Sequence, residues 1–232
     1  MADTGLYQKQ ANELSQKLWA IANDLRGNMD ASKFKNYILG IIFYRYLSER
    51  TENYMNNELL KNDGIQYEEA YNNNDLREMI EQWSIEALGY IIKPEYLFKN
   101  LIRRIEKPEN DEDKFSVEDL ERAINDVTGS TMGQRSESDF SGFFNDMKLQ
   151  DPDLGDAVSE RTELISKVMS RINEIDFMLE DSQFDVLGTA YMILIGLFAS
   201  DQERKVESFS HPLVQVNCVL HLHHLDLMKQ RP

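Results

Sequence analysis

The sequence predicts an all-α fold, a multi-helix domain with at most a short strand. Apolar residues recur every third or fourth position through most of the first 200 residues. Capping residues stand where those periodic stretches begin, and Gly or Pro where they end. Only Gly89-Tyr90-Ile91-Ile92 is extended-prone enough to suggest a strand.

Taken in order, Leu14, Leu18, Ile21 and Leu25 form the first helical stripe, with Gly27 placed to cap its end. Asp30 caps a second helix that carries Phe34, Ile38, Ile41, Ile42 and the stem of Arg45. That helix is expected to run through Tyr54 to Leu60, where Asn62-Asp63-Gly64 turns the chain. Asn74 precedes a third stretch with Leu76, Met79, Ile80 and Trp83. Pro94 is read as opening a helix through Leu97, Leu101 and Ile105, which Lys107-Pro108 stops. The acidic run from Glu109 to Asp113 is a solvated loop.

Ser116 caps the helix of Val117, Leu120, Ile124 and Val127, with Asp119 in the position that a capping box fills with Glu. The stretch from Thr128 to Asp139, rich in Gly, Ser and Thr, reads as loop. A long amphipathic helix then carries Leu164, Val168, Ile172, Ile175 and Leu179. A final one, with Phe184, Leu187, Tyr191, Leu194 and Phe198, is apolar nearly all round. The implied organisation is a helical domain over 1–180, a connecting helix over 181–201 and a tail over 202–232.

The 232 residues carry a net charge of −16, with 41% apolar residues and a single cysteine, Cys218. The charge opposes unassisted approach to DNA or an anionic membrane. One cysteine excludes an internal disulfide framework. The N-terminus has no apolar signal core, and the run from Val186 to Phe198 falls short of a bilayer span. A cytoplasmic protein with no membrane association is expected.

Usage breaks sharply near Asp201. All four histidines (His211, His221, His223, His224) and Cys218 follow it, and the tail's charges cancel, leaving the whole −16 on the body. His221, His223, His224 and Cys218 imitate a metal site, but their spacing matches no structural zinc motif. No glycine-rich phosphate cradle is present, and no serine before residue 211 has a histidine to activate it. No catalytic, cofactor-binding or metal-ligating residue is expected. The cations Lys33, Lys35, Arg103 and Arg104 are candidates for DNA contact. For Arg103-Arg104 the competing reading is a solvated helix face balanced by Glu95 and Glu106. On these grounds alone the chain is a helical binding or interaction module.

Five ordered segments go further. Leu18-Trp19-Ala20-Ile21-Ala22-Asn23-Asp24-Leu25-Arg26-Gly27 resembles the "W-x-x-A-D-x-L-R-G" opening of the methylation (M) subunit of type I restriction-modification systems. Leu88-Gly89-Tyr90-Ile91-Ile92-Lys93-Pro94-Glu95-Tyr96-Leu97-Phe98 is similar to the family's "L-G-Y-x-I-P-P-E-Y-L-F", with Lys93 in place of the first proline. Asp139-Phe140-Ser141-Gly142-Phe143-Phe144-Asn145-Asp146 and Ile175-Asp176-Phe177 match two further stretches. Asp185-Val186-Leu187-Gly188-Thr189-Ala190-Tyr191 resembles "D-x-L-G-x-A-Y-E-Y-L", with Met192 where Glu is usual.

The resemblance implies a subunit that transfers a methyl group from S-adenosylmethionine to the exocyclic amine of an adenine flipped from DNA. It also implies assembly with a second M subunit and a specificity subunit, with DNA bound within that complex. The family's chemistry lies in a Rossmann-like domain with an Asn-Pro-Pro loop and a glycine turn. Neither motif is found in this sequence, so the chain is expected to be inactive alone and to hold no cofactor. A freestanding interaction module, or an antagonist of the intact complex, is the alternative.

The tail is expected to be out of frame and disordered. The family continues after this point with a segment like "G-K-K-x-G-E-F-Y-T-P". If Val206 to Pro212 is encoded GTG-GAG-AGT-TTT-TCA-CAC-CCC, reading from the last base of the valine codon yields Gly-Glu-Phe-Phe-Thr-Pro.

Overall fold

The computed structural model describes residues 4–25, 31–134, 137, 140, 144–176 and 186–199. The expected cap at Gly27, the stripe position Leu179, and the whole tail over 202–232 lie outside these residues. Among the described residues there are eight α-helices: α1 (Thr4–Leu25), α2 (Ala31–Asn53), α3 (Tyr67–Asn72), α4 (Asn74–Leu88), α5 (Phe98–Glu106), α6 (Val117–Ser130), α7 (Val158–Asn173) and α8 (Val186–Ala199).

The centre of the molecule is α2. Its sequence from Phe34 to Leu47 offers apolar residues on every side, and such a helix is stable only when neighbours surround it. Tyr37, Ile38, Ile41, Ile42, Phe43, Tyr44 and Leu47 are all buried. Helices α1, α5, α7 and α8 pack around them. Each contributes one stripe: Leu14, Leu18 and Ile21 from α1, Leu101 from α5, Ile165, Val168 and Ile172 from α7, and Ala190 and Leu194 from α8. Each fully buried aliphatic side chain stabilises the fold by about 1.5–3 kcal/mol. Phe140 and Phe144 complete the cluster, with ring centroids 5.7 and 5.6 Å from that of Phe43.

The helix expected to run through Leu60 does continue past α2, but as a π-helical turn over Tyr54–Leu59. The capping box at Ser116 is present: Ser116 N–H donates to Asp119 Oδ2 at 2.8 Å, and Ser116 Oγ accepts from the Glu118 amide. α6 outlasts the expected loop start at Thr128 and ends at Ser130. α7 ends at Asn173 rather than continuing in the register of Leu179, while Ile175 remains buried beyond it. The short helix α3 had no clear sequence signal, because its six residues span less than two turns.

The segment from Gly89 to Leu97 differs most from expectation. Gly89, at φ 80°, caps α4 in the left-handed region. Pro94 opens a 3-10 turn over Pro94–Tyr96, and α5 begins only at Phe98. The segment is buried at Tyr90, Ile91, Ile92, Pro94 and Leu97 without being a strand. Buried backbone groups need partners, and side chains of the surrounding helices supply them here. Ser84 Oγ donates to Tyr90 O (2.9 Å), and Ile91 N–H to Ser130 Oγ (3.1 Å). Tyr67 Oη donates to Ile92 O (2.9 Å) and Tyr44 Oη to Tyr96 O (2.6 Å). Just beyond, Phe98 N–H donates to Ser48 Oγ (2.7 Å). The result is a strap that bolts α2, α3, α4 and α6 together.

Candidate nucleic-acid interface

The four candidate cations come from two places. Lys33 and Lys35 stand in the first turns of α2, and the side chain of Lys33 lies outside the described residues. Lys35 is half-buried. Burial pushes its ammonium pKa down, and the nearby carboxylate of Asp146 works in the opposite direction.

Arg103 and Arg104 stand together in the last turn of α5. Arg103 grips Asp113 with both arms of its guanidinium, Nη1 to Oδ2 at 2.8 Å and Nη2 to Oδ1 at 3.1 Å. This fork, helped by the Glu109 amide, lowers the Asp113 carboxyl pKa to about 2. Arg104 Nε donates to the backbone carbonyl of Asp113 (2.9 Å), and its Nη2 to Asp119 Oδ2 (2.8 Å). Asp119 is buried and also pairs with Arg122. One carboxylate thus closes the α6 cap and anchors α5 to α6.

The charge balance of this face is therefore carried by Asp113 and Asp119, not by Glu95 and Glu106. Asp113 lies 10 residues after Arg103, at the end of the acidic loop, and Asp119 lies 15 residues after Arg104, beyond it. The same pattern holds nearby. Lys99 pairs with Glu52 (2.5 Å) and Glu68 (3.2 Å), and Lys93 with Asp126. A phosphate reaching Arg103 must displace or share the Asp113 carboxylate, which raises the cost of binding. The structure gives Lys35 and the arginine pair separate partners.

Among the described residues, no three His, Cys, Asp or Glu side chains are grouped to hold a metal ion. The buried phenols Tyr44, Tyr67 and Tyr90 have pKa values raised chiefly by burial, so they stay protonated and serve as hydrogen-bond donors. No described helix is long and apolar enough to cross a membrane.

Comparison with known proteins fits this helical architecture. Residues 14–172 match the family model of the HsdM N-terminal domain. Over 208 residues the chain is 31% identical to the type I restriction enzyme MpnII methylase subunit of Mycoplasma pneumoniae, covering 88% of this chain and 38% of that protein. The crystal structure of the type I restriction-modification system methyltransferase subunit from Streptococcus thermophilus superposes with a TM-score of 0.68 at 28% identity. That match covers 87% of this chain and 41% of that one. The chain thus spans about two fifths of the length of these relatives. It belongs to the HsdM N-terminal domain family, the helical N-terminal part of type I restriction-modification methylase subunits.

Proposed function

We propose that this domain is the assembly and positioning part of a subunit that methylates adenine in DNA with S-adenosylmethionine. On this reading it works beside a second M subunit and a specificity subunit, and meets DNA only within that complex. The observation that supports it is the family match over residues 14–172 in relatives that run to more than twice this chain's length. On this reading the described helices supply a packed body and the reacting groups lie in another domain. Donor binding and the alignment of the adenine amine belong to a domain of the Asn-Pro-Pro type, because such alignment supplies much of the rate.

α8 supports the same reading. It carries no charged residue, yet Met192 on it is 67% exposed, as is half of Trp19 on the neighbouring α1. Large apolar side chains exposed on two neighbouring helices call for a further packing partner. We assign that face to the polypeptide that follows this domain in the longer relatives. Lys33, Lys35, Arg103 and Arg104 remain the proposed points of phosphate contact, in the assembled complex only.

Two measurements test this. Calorimetry of the chain with S-adenosylmethionine is expected to show no binding, and methyl transfer to DNA is expected to be absent even with a specificity subunit added. Donor binding by this chain would overturn the assignment of chemistry to another domain.

A further inference from the structure

Beyond the methylation reading, and independent of it, stands the outer face of α4. From Asp75 onward its exposed residues are Asp75, Glu78, Met79, Gln82, Trp83 and Glu86. Steps of three residues alternate with steps of one, which lays all of them along one side of an α-helix. The other side, with Ile80, Ser84 and Leu88, is buried, and the helix packs against α3. Met79 and Trp83 stand one turn apart and are each 37% exposed, although the apolar stripe of the sequence groups them with the buried Ile80.

The charge on this face has a single sign. Asp75, Glu78 and Glu86 are exposed on it, and no base is. The one base of α4, Arg77, is committed elsewhere: its Nε donates to Tyr71 O at 3.0 Å, and its guanidinium lies 5.2 Å from the Tyr71 ring centroid. Glu86 accepts from Gln82 Nε2 at 2.8 Å, and none of the three carboxylates pairs with a base among the described residues. The adjoining π-helical turn extends the field, because Glu58 and Glu86 both act on the phenol of Tyr54. The net charge of the chain does not account for this. Exposed acids on α1, α5, α6 and α7 share their helices with exposed bases, namely Lys9, Arg103, Arg122 and Lys167.

Such a face repels phosphate and anionic membranes and attracts cations. A metal ion is a poor occupant, since no three carboxylates among the described residues are grouped to hold one. An apolar pair set between carboxylates instead complements a surface on which apolar and basic residues recur at helical spacing. The indole of Trp83 adds a ring face for an ammonium or guanidinium group. From Asp75 to Glu86 the face runs about 16 Å, the length of about three turns of a second helix laid alongside.

We propose that this face of α4 docks a basic amphipathic helix of a partner protein, its apolar side chains on Met79 and Trp83 and its cations on Asp75, Glu78 and Glu86.

The test uses the full chain with Trp19→Phe, which leaves Trp83 as the one indole. The probe is a stapled, tryptophan-free helical peptide of about four turns, with leucine at i, i+3, i+4 and i+7 and lysine on both flanks. Its counterparts carry glutamate for lysine or alanine for leucine, and a short DNA duplex completes the set. The lysine–leucine peptide is expected to shift Trp83 emission to the blue in a saturable, salt-sensitive way, and the other probes to leave it in place. Glu78→Gln with Glu86→Gln is expected to weaken binding several-fold at an unchanged thermal midpoint. Glu13→Gln with Glu163→Gln, which removes as much charge from exposed sites on other helices, is expected to leave the affinity as it was. No saturable shift, an equal response to the glutamate peptide or to DNA, or equal weakening by the two pairs of substitutions would each overturn the proposal.

Discussion

Arg103 and Arg104 are neighbours in sequence with different physical roles. Arg104 is largely enclosed and shares the buried Asp119 with the α6 cap, whereas Arg103 reaches across open surface to Asp113. Arg104→Ala is expected to cost about 2–3 kcal/mol, because it strips a charged hydrogen bond from a buried carboxylate. Arg103→Ala is expected to cost far less, because solvent screens an exposed ion pair. Urea midpoints of the two variants check this, and equal losses would contradict it. Asp113 adds a pH signature. Its folded pKa of about 2 lies below its ordinary 3.8, so its contribution is complete above that ordinary value and is lost as pH falls toward 2. Asp113→Asn is expected to flatten stability over that acid window. The sequence showed two adjacent cations on a helix end but not their partners, because Asp113 lies within the following loop and Asp119 beyond it, where helical periodicity does not reach.

Among the elements, those whose signals are local were the readable ones. Ser116 and Asp119 sit three residues apart, and the box they predict is the box observed. The strap from Gly89 to Leu97 is extended as its sequence suggested, but the helix expected from Pro94 begins only at Phe98, and Ser84, Tyr67, Tyr44 and Ser130 from distant helices hold the extended backbone. In the described structure the residues of this family segment hold helices together. Tyr67→Phe leaves the buried carbonyl of Ile92 without its donor and is expected to lower stability by about 1–3 kcal/mol, measured by chemical denaturation. On α8 the contrast lies between two faces. Leu194→Ala, within the core, is expected to cost about 2–5 kcal/mol, and Met192→Glu, on the open face, less than about 0.5 kcal/mol in this chain. A large loss in Met192→Glu would show that the face is already covered.

At the scale of the whole molecule, α1, the strap, the pair Phe140 and Phe144, Ile175 and α8 represent the five family segments that the sequence displayed, and each contributes to the shared core. Where the chain would meet the proposed partner subunits was not legible, because assembly surfaces carry no periodic signal. The proposed break of reading frame after Asp201 belongs to the gene rather than the fold. Nucleotide sequence through codons 201–212 checks it, with the Gly-Glu-Phe-Phe-Thr-Pro frame as the expected finding. The net charge of −16 makes the last prediction. A protein binds duplex DNA by releasing counterions from phosphates, and it needs free cations on one face to do so. Here Arg103, Arg104, Lys99 and Lys93 each already engage a carboxylate, so each phosphate contact must first break an ion pair. The isolated chain is therefore expected to show negligible duplex binding at physiological salt. A fluorescence-anisotropy titration with a labelled duplex, repeated at low salt, checks this. A micromolar complex whose affinity falls steeply with salt and weakens in Arg103→Ala would show that this face binds phosphate without its partner subunits.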